Sequence, residues 1–147
     1  MKISISTDTL LGIAPSIAQW VKDRGHEVLL RGALDPSVSP AWALASASAA
    51  RDVAEGRAEQ AIVCCTTGTG ATIAANKVAG VRAALCGDAY TAMGARKWND
   101  ANVLGVSLRL TSASVMQEML DAWFAASVDV AQAGNIGYLV AMDEASR

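Results

Sequence analysis

The chain has 147 residues, enough for one domain with a core of its own. Hydrophobic residues make up 52% and charged ones 18%, which argues against a disordered chain. A net charge of −2 without a basic block argues against a nucleic-acid partner, and no apolar run approaches the roughly 20 residues that span a bilayer.

The first predicted strand is Lys2–Ser6. Met1-Lys2 leads straight into it, without the long apolar region and cleavage site of a signal peptide, so the expected location is the cytoplasm. A helical pattern over Ile13–Arg24 starts near Pro15, a residue suited to a first helical turn. Then come a strand at Glu27–Leu30 and an Ala-rich helix, Ala41–Glu55, that stops at Gly56. The run Ala61–Cys65 is the third strand, and a short helix, Ala71–Val78, ends near Gly80. Arg82–Cys86 is the fourth strand, and Asp88 is placed to cap a helix over Ala89–Trp98. The fifth strand is Val103–Val106, followed by a helix, Ser112–Ala126, with Val115, Met119, Ala122 and Trp123 on one stripe. From Val128 on there is no clear periodicity. Residues 127–147 are expected to form an arm that packs on a neighbour or a partner subunit. Strands alternating with helices call for one domain, residues 1–147, with a five-stranded parallel sheet covered on both faces.

In such a sheet, sites lie beyond the carboxyl ends of the strands. Those ends carry Thr7-Asp8-Thr9, Cys65-Thr66-Thr67-Gly68, Gly87-Asp88 and Ser107-Leu108-Arg109. The stretch from Ala61 to Val78 is the most informative: an apolar run, a Thr/Gly turn over Thr66–Gly70, and a helix at once after it. A helix N-terminus can lower a thiol pKa, and Gly68 and Gly70 let backbone N–H groups come close to an anion. Thr66, Thr67, Gly68, Thr69 and Gly70 thus form a candidate anion-binding loop beside Cys65. The loop lacks the Gly-Lys-Ser/Thr of a nucleotide-binding P-loop and does not read GxGxxG, so it does not say which anion.

Each of these residues also has a plainer reading. Cys65 could be a small buried hydrophobe, Asp8 an Asx turn or helix cap, and Arg109 a solvated charge rather than an anion clamp. Asn99 and Asp100 could cap a turn, and Trp98 could be core. His26, in RGHEV, falls at the opposite end of the sheet from the candidate site and reads as structural, with a helix C-terminal dipole to favour its charge. Three cysteines and no export signal argue against a disulfide framework. Adjacent Cys64 and Cys65 should point to opposite faces of the sheet.

The segment from Cys65 to Arg109 resembles the type B ribose-5-phosphate isomerases and the galactose-6-phosphate isomerase subunits. IAANKVAGVRAAL and NDANVLG carry the likeness most specifically; RGHEV, the opening MKISISTD and the DAWF helix extend it to most of the chain. The resemblance implies a three-layer α/β/α Rossmann-like sandwich that forms a homodimer, with tetramers possible in principle, and an active site shared between subunits. It implies aldose–ketose isomerisation of a sugar or sugar phosphate through a cis-enediolate, with no cofactor and no metal. Cys65 falls on the base, Thr66 to Gly70 on the amides that hold the enediolate, with Thr67 among the catalytic groups, and Asp8 on the first-strand motif. Asn99 and Arg109 fall on substrate-binding positions that a partner subunit supplies.

The departures are informative. The family's Ser-Asp-His-Ala-Gly is here Thr7-Asp8-Thr9-Leu10-Leu11, and Trp98 replaces its ring-opening His. Nothing between Phe124 and Ser146 is basic, whereas the family's arm brings arginines to a phosphate. Each charge-assisted hydrogen bond so lost is worth about 1.5–3 kcal/mol. The chain is therefore expected to isomerise a short or linear sugar, phosphorylated or not, with Thr9 and Trp98 lining its pocket. Two other readings stay open: an enolising epimerase that uses the same Cys65, and a non-catalytic or paired subunit.

Overall fold

Five parallel strands, β1 (Lys2–Thr7), β2 (Glu27–Gly32), β3 (Gln60–Cys65), β4 (Ala83–Leu85) and β5 (Val103–Ser107), form one sheet in the order β2-β1-β3-β5-β4. The coordinates are a computed structural model that describes residues 1–147. Five helices cover the sheet, α1 (Ala14–Asp23), α2 (Trp42–Ala54), α3 (Thr69–Asn76), α4 (Ala89–Asn99) and α5 (Ala113–Ala125), and a sixth, α6 (Ala133–Ala145), follows them.

Strand alternation sorts the core into two layers. Ile3, Ile5, Ile62, Cys64, Leu104 and Val106 point to one face, where they meet α1, α4 and α5. Trp123 is the largest side chain buried there, and its indole N–H donates to Gln60 Oε1 at 2.8 Å. Ala61, Val63, Cys65 and Val103 point to the other face, against α2 and α3. Small residues, Ala49 and Ala50 on α2 and Ala71 and Ala75 on α3, form that second layer and let the two helices pack closely. The expected α/β/α sandwich is thus the observed one, and the two adjacent cysteines do face opposite layers.

Ser4 and Ser6 of β1 also face α2. The Ser4 hydroxyl donates to Asp52 Oδ2 at 2.7 Å, and Asp52, fully buried on α2, also accepts from Arg31 and Arg57. Burial works against the Asp52 carboxylate, but the hydrogen bonds from Arg31, Ser4 and Arg57 outweigh it and hold its pKa below the usual range.

The structure differs from the sequence reading in four places. β2 continues to Gly32, while β4 shrinks to three residues on the sheet edge. α3 starts at Thr69, so the last two residues of the Thr/Gly turn form its first helical turn. The tail, which shows no period, contains the thirteen-residue α6. Its apolar residues, among them Ile136, Tyr138, Leu139, Val140 and Met142, surround the helix rather than forming a stripe, and none of its residues is buried. Finally, His26 lies against the Phe124 ring at 4.3 Å and the Met1 amino group at 3.2 Å. Burial first, and then that amino group, push its pKa down, so the fold favours the neutral imidazole and not the charged one.

Candidate active site

From β1 the chain crosses to β2 on one side and later reaches β3 on the other, so the gap beyond the carboxyl ends of β1 and β3 is the switch point of the sheet. Thr7 pairs with Cys64 in the last rung of that ladder, which leaves Asp8 and Cys65 as the next residues at the rim. Thr7 Oγ1 donates to the Thr9 carbonyl at 2.7 Å, a tight turn that holds Asp8 in place. One carboxylate oxygen of Asp8 is buried and has no hydrogen-bond partner.

Cys65 ends β3 with 6% of its surface exposed. The loop behind it is anchored by β5. The Cys65 carbonyl accepts from Leu108 N–H and the Thr66 carbonyl from Arg109 N–H, each at 3.0 Å, and the Ser107 hydroxyl also reaches the Thr66 carbonyl. Gly68 then turns into the left-handed region at φ +75° and caps α3. A Cβ there would come within 2.7 Å of Ser107 N and Val106 C, so only glycine fits.

Because Gly68 offers no side chain, the N-terminus of α3 is uncapped. The N–H groups from Thr66 to Ala71 make no hydrogen bond within the chain. Unpaired amides at the positive end of the α3 dipole, next to the thiol, are able to hold an anion. The Thr67 and Thr69 hydroxyls lie 2.8 Å apart on the same loop. The other two thiols have different surroundings. Burial pushes Cys64, at 1% exposure, far up in pKa. Burial, with Asp88 adding, pushes Cys86 up to about 11.

Asp8, Thr9, Cys65, the loop and Arg109 therefore meet at one rim of the sheet. Trp98 and Asn99 do not join them. They end α4, which runs from Asp88 at the carboxyl edge back to the amino edge. The Trp98 ring folds along its own helix onto Gly94 and meets Tyr90 edge-on at 5.8 Å. It also lines a small cavity with Asn99, Gln132 and Asn135, beneath α6. A larger cavity, about 790 Å³, lies at the same amino edge between Arg82, Asn99 and Arg147. Both arginines there are already paired, with Asp100 and Asp143.

Two features of the rim were not visible as site residues in the sequence. Ser6 and Ser46, 0% and 1% exposed, each leave a hydroxyl without a partner in the α2 layer. Trp42, the first residue of α2, lies against Gly70 of the loop. No local pattern marks either, because both depend on α2 crossing β1 and α3.

The ribose/galactose isomerase family pattern matches residues 3–136. The chain belongs to the ribose/galactose isomerase family. Among its relatives, the galactose-6-phosphate isomerase subunit LacB of Clostridium acetobutylicum is 35% identical over 127 residues, covering 86% of this chain and 73% of that one. The D-erythrulose-4-phosphate isomerase of Pectobacterium atrosepticum is 29% identical over 130 residues, 88% of this chain and 86% of the other. The 4-deoxy-4-sulfo-D-erythrose isomerase of a Clostridium species is 37% identical over 105 residues, 71% of this chain and 66% of the other. In structure, the ribose-5-phosphate isomerase B of Clostridium thermocellum is similar with a TM-score of 0.91 and 32% identity, over the full length of both chains. That likeness spans the whole sheet, including the carboxyl rim that carries Cys65 and the loop.

Proposed function

We propose that the protein is an aldose–ketose isomerase for a short, open-chain sugar or sugar phosphate, with Cys65 as its base. The observation that carries this reading is the thiol at the switch point beside six backbone N–H groups without intrachain acceptors. Cys65 Sγ takes the proton from the carbon next to the carbonyl. The electron pair of that C–H bond forms the C=C bond of a cis-enediolate, and the carbonyl oxygen takes up negative charge. The loop amides stabilise that charge as it develops, a contribution typically worth about 10²–10³ in rate per donor. The Thr67 hydroxyl carries a proton between the two oxygens, and Cys65 returns its proton to the former carbonyl carbon. One C–H bond breaks and one forms, so the step balances internally.

The substrate class follows from what surrounds the loop. Thr9 beside the loop, and Trp98 once a partner copy brings it there, supply no group to open a sugar ring, which favours a substrate that is already linear. A four-carbon ketose phosphate cannot close the usual five-membered ring, and two relatives are named for four-carbon compounds. Residues 124–146 contain no cation to grip a phosphate. We further propose that the protein works in the cytoplasm as a homodimer. Leu10, Leu11, Ile73 and Leu110 are exposed around the rim and α3, and α6 buries none of its residues, as in an arm awaiting a partner subunit. A dimer would also allow Asn99 and Trp98 of one copy to face Cys65 of the other.

Proton exchange in D2O tests the reaction. Purified protein is incubated with four- to six-carbon aldoses and ketoses, with and without phosphate. Deuterium should enter next to the carbonyl of a four-carbon compound, and Cys65→Ala should abolish this while Cys64→Ala preserves it. The reverse pattern would overturn the assignment of the base. The separation of Trp98 and Asn99 from Cys65 supports a second reading, a paired subunit. Exchange that appears only after a homologous chain is added would decide for it.

A further inference from the structure

Trp42 sits where α2 begins, at the carboxyl edge of the sheet. The placement of that first turn is fixed by the end of β2: Ala45 Cβ would lie 2.7 Å from a Cβ on Gly32. The six-membered edge of the Trp42 indole lies on Gly70, so that a Cβ at Gly70 would meet Cε3 and Cζ3 at 3.0 Å. Gly70 does not lie in the left-handed region, so its backbone alone does not demand glycine. The demand comes from the ring. A side chain at this position would require the indole to give by a few tenths of an ångström.

This contact places the ring with respect to the thiol. Cys65 packs among Ala49, Ala50, Ala71 and Ala75, between α2 and α3. Trp42 begins α2 and touches Gly70 in the first turn of α3, so it stands at the rim of that layer. Yet Trp42 is not a core residue: 50% of the residue remains exposed. An indole seated on the loop by one edge, with the rest open to solvent, is a wall for a bound molecule rather than a contribution to packing.

We propose that Trp42 is a specificity-determining residue, which walls the space over Cys65 and the loop amides and selects four-carbon open-chain substrates over longer or cyclic sugars. This proposal rests on the isomerase reading above. Aromatic rings present a flat apolar face to the C–H groups of a polyol chain, while the hydroxyls turn toward the loop. A fifth carbon carrying a charged end group would have to displace the ring from Gly70. Hydrophobic walls of this kind discriminate by about 10- to 200-fold per methylene-sized change.

The test compares wild type, Trp42→Ala, Trp42→Phe and Gly70→Ala in the isomerisation and deuterium exchange of D-erythrulose, D-erythrose 4-phosphate and D-ribose 5-phosphate. Trp42→Ala should raise kcat/KM for the five-carbon compound relative to the four-carbon ones by roughly 10-fold or more. The loss on four-carbon compounds should appear mainly in KM, because the base and loop amides stay in place. Trp42→Phe should fall between. Gly70→Ala, which displaces the ring without removing it, should shift the ratio in the same direction. The half-exposed position lets the variants fold, and a cooperative melt checks that each has; if Trp42→Ala does not fold, the ratios in Trp42→Phe and Gly70→Ala decide. An unchanged ratio in the folded variants, with wild type active, overturns the role of Trp42 and leaves the isomerase reading standing. No exchange by wild type with any compound overturns both.

Discussion

Gly68→Ala probes the loop most directly, because two separate penalties can be read from the structure. Alanine in the left-handed region costs about 1–2 kcal/mol, and Gly68 has φ +75°. The added Cβ would also stand 2.7 Å from Leu85 Cδ1, Ser107 N and Val106 C. Leu85 can rotate away, but the two backbone atoms belong to β5 and cannot, so the loop itself must move. Overpacking of this kind costs about 1–3 kcal/mol more. The expected loss of stability is then about 2–5 kcal/mol, or roughly 4–20 °C in melting temperature for a chain of this size. Gly56→Ala is the control. Gly56 has φ +73° but nothing within 4 Å of its added Cβ, so it should show the strain alone, about 1–2 kcal/mol. Function separates the two further. A shift of the loop by about 1 Å misplaces every amide and should lower deuterium exchange about 10²-fold in Gly68→Ala, whereas Gly56→Ala should exchange at the wild-type rate. Equal melting temperatures for the two variants, with normal exchange in both, would refute the reasoning about β5.

Three further outcomes follow from charges and thiols. Asp52→Asn removes the negative charge and one of the two oxygens that accept from Ser4, Arg31 and Arg57, and leaves two guanidinium groups facing an amide; urea titration should show a loss of about 3 kcal/mol at neutral pH. Because the Asp52 pKa is lowered by folding, its stabilisation is present above the unfolded value of about 3.9 and is lost as pH falls through the folded one. The gap between wild type and variant should therefore close in acid, and a gap that persists there would contradict the ion-pair account. His26 is also lowered, so the stability it contributes is full above about 6.5 and declines as pH falls through that value; an NMR titration midpoint above 6.5 would contradict its packing against the Met1 amino group. Iodoacetamide at mildly alkaline pH should modify Cys65 before Cys86, held near 11, or Cys64, held higher still by burial. Peptide mapping that finds Cys64 labelled first in folded protein would argue against the two-layer placement of the thiols.

Much of the site was legible because its signals are local. The thiol, the Thr/Gly turn and the helix after it are contiguous, and alternation along β3 alone assigns Cys64 and Cys65 to opposite faces. Asp8 and Arg109 could be placed at the same rim because Asp8 directly follows β1 and Arg109 lies two residues beyond β5. The helical tail was hidden for the opposite reason. α6 packs with none of its residues buried, and a helix apolar all round has no stripe for periodicity to reveal. The Asp52 cluster was equally hidden, since Ser4, Arg31, Asp52 and Arg57 come from three elements and a connecting turn.

By itself the sequence determined the succession of strands and helices and the adjacency of a thiol and a Thr/Gly turn, since each depends on residues that are neighbours in the chain. Only the tertiary structure decided that Trp42 rests on Gly70 and that Trp98 and Asn99 end at the edge away from Cys65. Those relations depend on the strand order β2-β1-β3-β5-β4 and on which face each crossover helix covers. Both are set by packing between elements far apart in the chain, where local propensity carries no information.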